Sequence, residues 1–197
     1  MMKWRILGLV ALSWLITACA TTTEPSKEYL LMDADIAAVE AKSTPFMPVQ
    51  IMPVSIANYL AGNEIVLVTK QGEVFRSANN LWAETLSPQL TRLTQQRLER
   101  ALPDVTWFGG QRLPAAAIAI LNIDVDRFYA DLEGMIHISG RWQLMSSMGE
   151  LLASNTFDQT DRLTSDGFTP MVQALSKSWF NNVIDSMATD IALSLNK

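Results

Sequence analysis

The sequence predicts a two-layer α+β domain, a mostly antiparallel mixed sheet with two amphipathic helices packed on one face. Three observations carry this expectation. Residues 121–126 and 136–144 alternate apolar and polar side chains, the two-residue period of strands with one buried face. Residues 87–102 and 169–195 repeat apolar side chains at helical spacing, each behind a Ser-Pro or Thr-Pro start. Strands that are wet on one side need one covering layer, and the two helices supply it.

The chain opens with Lys3 and Arg5, an apolar run from Ile6 to Ile16, and Leu15-Ile16-Thr17-Ala18 directly before Cys19. A cationic start, a short apolar core and small residues at its end define an export signal. At 1.5 Å per residue the run reaches only about half of a ~30 Å hydrocarbon core, so it is too short to span. Ile16-Thr17-Ala18-Cys19 resembles the bacterial lipobox, whose cysteine is acylated and becomes the mature N-terminus. The expected organisation is a removed signal over 1–18, a lipidated Cys19 with a tether over 19–28, and a single domain over 29–197. The tether is Thr-rich, contains Pro25 and has no apolar period. Ala20 stands where bacteria related to the enterics place aspartate as an inner-membrane retention mark, so the resemblance implies the outer membrane.

In the domain, Tyr29-Leu30-Leu31-Met32 predicts a first strand, and residues 34–48, with Pro45 and Pro48, predict a loop. Val49 to Ile56 and Ile65 to Thr69 predict strands on either side of a turn at Ala61-Gly62-Asn63, with a shorter strand from Glu73 to Ser77. Ser87-Pro88 starts a helix: serine caps orphan amides and proline suits the first turn. Leu90, Leu93, Leu98 and Leu102 share one side before Pro103 ends it. The two alternating strands follow, and Leu151, Ala153 and Phe157 continue the pattern more weakly. Val172, Leu175, Trp179, Val183, Met187, Ile191 and Leu195 form the stripe of the last helix.

Composition excludes several functions. The chain carries 20 acidic against 15 basic side chains, and Lys3 and Arg5 leave with the signal, so bulk charge favours neither nucleic acid nor anionic head groups. Cys19 is the only cysteine, so no disulfide forms inside the fold. His137 is the only histidine, placed on the polar side of its strand with no second metal ligand or nucleophile partner. Asp124, Asp126, Asp131 and Glu133 are the densest acid cluster, but they lack the glycine-punctuated spacing of a calcium loop. Glu84, Asp104 and Asp158 show no spacing that pairs them for acid and base work. Gly109-Gly110 is followed by neither a helix cap nor a suitably placed lysine, so it forms no phosphate cradle. The expectation is a protein without catalytic, cofactor or metal residues, in which most methionines and tryptophans fill the core.

Val54-Ser55-Ile56-Ala57-Asn58-Tyr59-Leu60-Ala61-Gly62-Asn63, then Ala78-Asn79-Asn80-Leu81-Trp82-Ala83 and Gln89-Leu90, resemble the PqiC-type auxiliary lipoproteins of mammalian-cell-entry (MCE) lipid-transport systems. The resemblance continues through Ser139-Gly140-Arg141-Trp142, Asp166-Gly167-Phe168, Met171-Val172 and Ala174-Leu175, and so covers nearly the whole chain. Ala57 replaces a usual proline and Phe168 a common tyrosine. The resemblance implies a non-enzymatic outer-membrane lipoprotein facing the periplasm. Its implied partners are a periplasm-spanning MCE tunnel protein and, through it, a multi-pass inner-membrane protein. A rotationally symmetric tunnel would suit a homo-oligomeric ring. The alternative is a structural or regulatory envelope lipoprotein, for instance an activator of cell-wall synthesis; a periplasmic hydrolase would need a catalytic cluster.

Loops carry recognition more often than strands, which makes Asn58, Tyr59, Leu60 and Asn63, with Asn80, Leu81 and Trp82, the candidate partner surface. The competing expectation is that Tyr59, Leu60 and Trp82 pack under the helix layer and fix the fold.

Overall fold

The computed structural model describes residues 25–33, 48–109 and 119–195. The expected signal, Cys19, most of the tether, the loop over 34–47 and Gly110 lie outside the described residues. In chain order the strands are β1 (Lys27–Tyr29), β2 (Val49–Ile51), β3 (Ser55–Ile56), β4 (Glu64–Val68) and β5 (Val74–Trp82). Helix α1 (Leu86–Ala101) separates these from β6 (Trp107–Gly109), β7 (Ala119–Ala130), β8 (Met135–Met145) and β9 (Leu151–Arg162). A last helix comprises α2 (Phe168–Lys177), a π-helical stretch (Ser178–Ile184) and α3 (Asp185–Leu195). A short 3₁₀ turn, Asn58–Leu60, precedes β4.

Among the described residues the nine strands form one mixed sheet. Its spine is the antiparallel run β7–β8–β9. Along the other edge of β7 the chain lays down β2, β3 and β4 in succession, all parallel to it. From this edge β2 continues to β6, while β4 pairs antiparallel with β5, which takes β1 as a parallel neighbour. The predicted single strand over 49–56 is therefore two, because Pro53 offers no amide to a ladder. The strand expected to stop at Ser77 instead runs to Trp82, where pairing with β1 and burial of the indole outweigh the polar Asn79-Asn80. The first strand is shifted to 27–29, and β6 had no clear signal in the sequence.

Helices cover one face. Leu121, Ile123, Val125, Phe128, Ile136, Ile138, Trp142 and Leu144 are buried beneath Leu90, Leu98, Leu175, Trp179, Val183 and Ile191. The face changes parity at a bulge between Val125 and Arg127. Gly140 sits opposite, and a Cβ there would stand 2.0 Å from the Asp124 carbonyl oxygen and 2.7 Å from the Phe157 ring. Glycine is required by that close approach, and Phe157 fills the space and meets Trp179 edge-on at 5.8 Å.

The last helix solves a spacing problem. Leu175, Trp179, Val183, Met187 and Ile191 recur every four residues, which in a pure α-helix drifts about 40° per step. The wider π stretch absorbs part of that drift and keeps Trp179, Phe180, Val183 and Ile184 inward. Ser87 does not cap α1 as predicted. It lies in the first turn and donates its hydroxyl to the Val54 carbonyl (2.5 Å), while Thr91 Oγ1 accepts the Val54 amide (2.8 Å).

Candidate functional site

Tyr29, Asn79-Asn80 and Asp166-Gly167-Phe168 come from three distant parts of the sequence and line one open cleft of about 520 Å³, with Pro25, Lys27 and Pro170. The parallel pairing of β1 on β5 brings the first two together. The Tyr29 hydroxyl donates to Asn80 Oδ1 (3.2 Å), and the Asn80 amide and Nδ2 both donate to Ser77 Oγ (3.0 Å). The Phe168 ring lies 6.4 Å from Tyr29. The walls carry amide, carboxylate, amine, hydroxyl and aromatic groups, a mixed lining suited to binding a chain or a head group.

Beyond Tyr29 the chain leaves the sheet and becomes a strap across the helices. The Leu31 amide donates to Gln89 Oε1 (2.5 Å) and the Met32 amide to Ser176 Oγ (3.2 Å). Asp33 then reaches Arg97 (2.9 Å) and Arg100. Arg97, only 3% exposed, also grips Asp185 through Nε (2.8 Å) and Nη2 (2.7 Å). This anchoring was not anticipated, though one signal was available. Arg97 lies four residues after Leu93 and seven after Leu90, on the buried stripe, where a charge requires a partner.

The predicted partner surface divides. Leu60 and Trp82 are buried, Trp82 against Phe128 at 6.4 Å, so neither is offered to a partner. Asn58 and Asn63 are exposed, and Asn80 and Leu81 are half-buried. Asn63 and Trp82 meet through the backbone, where the Trp82 amide donates to the Asn63 carbonyl (2.6 Å). Tyr59 donates its hydroxyl to the Asp126 carbonyl (2.7 Å) and stands edge-on to Tyr129. Burial first, then the neighbouring Tyr129, push its pKa from 10.0 to about 12, against an opposing pull from Arg127 and with a smaller push from Asp126.

The open face of the sheet carries the acids and the histidine. Asp124 pairs with Arg141 (3.1 Å), and the bulge moves Asp126 out of line with it, so the two do not share one ligand position. Among the described residues no group of three His, Cys, Asp or Glu side chains is arranged to hold a metal ion. Expected to be exposed, His137 is instead half-buried, with Nε2 at 2.9 Å from Asp131 and its ring 5.3 Å from Tyr129. Burial alone would raise the Asp131 pKa. The hydrogen bonds from His137 and from the Met135 and Glu133 amides, with the imidazole's charge, outweigh it and hold the carboxyl below its usual 3.8. Arg127 joins Ser139 (2.7 Å) and Asp158 (2.8 Å).

No helix among the described residues is long and apolar enough to cross a membrane. Known proteins place this architecture. The chain is 28% identical over 179 residues to the intermembrane transport lipoprotein PqiC of Escherichia coli (strain K12), covering 91% of this chain and 92% of that protein. The figures for PqiC of Shigella flexneri are the same. The crystal structure of an uncharacterised protein is similar with a TM-score of 0.69 and 27% identity, over 85% of this chain and 99% of that one. A Xanthomonas campestris protein shares the fold with a TM-score of 0.66 and 18% identity, over 87% and 98% of the two chains. The family of ABC-type transport auxiliary lipoprotein components matches residues 29–192, from the Tyr29 strand that lines the cleft into the last turns of the final helix, and the chain belongs to that family.

Proposed function

We propose that this chain is an outer-membrane lipoprotein subunit of an MCE-type intermembrane lipid-transport complex, held by an acylated Cys19 and docking the periplasm-spanning tunnel protein. The observation that carries the proposal is the family match over residues 29–192, joined to near full-length similarity to a protein named for intermembrane transport. The role is one of binding rather than catalysis. A lipid crossing water needs a shielded route, and the route needs a docking point at the far membrane. A tether raises the effective concentration of the domain for such a partner without any new contact. Asn58 and Asn63, exposed beside the buried Leu60 and Trp82, and the half-buried Tyr59, Asn80 and Leu81 form the partner surface in this proposal. The tunnel protein links the complex to a multi-pass inner-membrane protein.

The test is to purify the lipidated full-length protein from gently solubilised envelopes through a tag after Lys197, and to identify what co-elutes. An MCE tunnel protein enriched over a Cys19→Ala control is the expected result. Recovery of a cell-wall synthase with no tunnel protein, even after crosslinking, would replace the proposal with a regulatory role in cell-wall synthesis.

A further inference from the structure

We infer that the sheet end formed by the β4–β5 and β7–β8 hairpins is the surface on which the domain rests against the bilayer, with Val74, Phe75 and Leu132 entering the interface between head groups and acyl chains. The inference rests on the proposed lipid anchor at Cys19. Val74, Phe75 and Leu132 are 44%, 49% and 60% exposed, unusual for large apolar side chains gathered at one place. The ladders gather them. Leu67 of β4 pairs with Phe75 on one side and with Ala130, two residues before Leu132, on the other. Lys70 of the first hairpin meets Glu133 of the second at 3.5 Å. An apolar hollow of about 240 Å³ opens behind them, lined in part by Leu67, Leu132, Leu163, Phe168 and Met171.

The presentation of Leu132 is fixed. Asp131 Oδ1 accepts the Glu133 (3.0 Å) and Met135 (2.8 Å) amides, while its second oxygen pairs with His137. Of the cations nearby, Lys70 is matched with Glu133 and Arg76 with Glu64 at 3.9 Å, while Arg162, opposite Met135 on β8, is exposed at the same end. Docking is led by the apolar side chains, with Arg162 placed to meet head-group phosphates beside them.

The course of the chain supplies the occupant. β1 runs parallel to β5 with Lys27 beside Asn80, so the backbone before Lys27 points toward the start of β5, where Val74 and Phe75 lie. Because Glu64 pairs with Leu81 and Val68 with Val74, Lys27 stands only about three residues, ~10 Å, short of the tip. From Cys19 to Lys27 the chain spans at most ~28 Å. Traced back from Tyr29 to Lys27, the chain heads toward the end that carries Val74, Phe75 and Leu132, which lies within reach of a lipid on Cys19. Other exposed apolar side chains lie elsewhere: Leu30 and Met32 on the strap that leaves β1 away from the tip, Leu193 near the end of the last helix, and Met148 and Leu151 at the opposite end of β8, roughly 35 Å away.

The experiment uses the full-length lipidated protein in vesicles of phosphatidylethanolamine with a minor share of phosphatidylglycerol. Single variants Phe75→Cys, Leu132→Cys and Met148→Cys carry an environment-sensitive fluorophore on the new thiol, since the acylated Cys19 does not react. Val74→Cys replaces either tip variant whose melting temperature falls. Nitroxide-bearing lipids are expected to quench labels at 75 and 132 by about twofold or more and to leave the label at 148 unchanged. Labels at 75 and 132 as unquenched as that at 148, on protein that still co-sediments with vesicles, would overturn the docking surface and leave the anchor standing. Protein that fails to co-sediment would overturn the anchor and the docking surface together.

Discussion

Between the helices, Arg97 is 3% exposed and is shared by the strap residue Asp33 and by Asp185; on the open face of the sheet, Arg127 and Arg141 pair with Asp158 and Asp124 in water. The same two chemistries, guanidinium and carboxylate, serve different ends. The buried cluster joins the strap, α1 and the last helix, alongside the Leu31–Gln89 and Met32–Ser176 hydrogen bonds, because a charge that has left water must keep its partners. The surface pairs gain little, since solvent screens them and holding long side chains costs entropy. Charge in this protein fixes structure where water is excluded and decorates it elsewhere. The strap that leads to the tether is held by the first kind.

Arg97→Ala tests that contrast most severely. It leaves Asp33 without its most buried partner and should cost about 3 kcal/mol in urea unfolding. Gly140→Ala, where the two faces exchange parity at the bulge, forces the β7 backbone aside and should cost about 2 kcal/mol by the same measurement. Tyr59→Phe removes the hydrogen bond to Asp126 from the open face and should cost about 1 kcal/mol. Spectrophotometric titration should show this tyrosine ionising near pH 12. Its raised pKa contributes stability that is complete below the ordinary 10.0 and is lost as the pH rises through about 12. Asp131 has the opposite sign: its depressed pKa contributes stability present above the ordinary 3.8 and lost as the pH falls below it. Thermal melts should therefore lose stability through that acid range faster in the native protein than in Asp131→Asn. Arg141→Ala, with an exposed partner, should change unfolding by no more than about 0.5 kcal/mol, and a larger loss would erase the contrast between buried and surface pairs.

The alternating residues of β7 and β8 and the stripes of α1 and the last helix were legible because each period is local: a side chain's neighbours two or four residues away already state which face is dry. The alternation of β8 gives no reason for a glycine at position 140. The reason lies in the neighbouring strand, where the Asp124 carbonyl approaches too closely for any Cβ. Asn80-Leu81-Trp82 is expected in a loop because the consecutive Asn79-Asn80, both poor strand formers, interrupt the apolar pattern. β1 makes it a strand, and β1 lies some fifty residues away in sequence. The family motifs located Asn79-Asn80 and Asp166-Gly167-Phe168 but not their convergence around one cleft, since a cleft is a property of packing.

Sequence alone determined the α+β class, the one covered face and the resemblance to the auxiliary lipoproteins, all of which rest on short-range order that a linear pattern records. Tertiary structure decided that Leu60 and Trp82 belong to the core, that Asp33 and Asp185 meet on Arg97, and that Phe75 and Leu132 share one end of the sheet. Those placements depend on which strands pair and which helix faces oppose, and pairing between distant segments is set by the free energy of the whole fold rather than by any one segment.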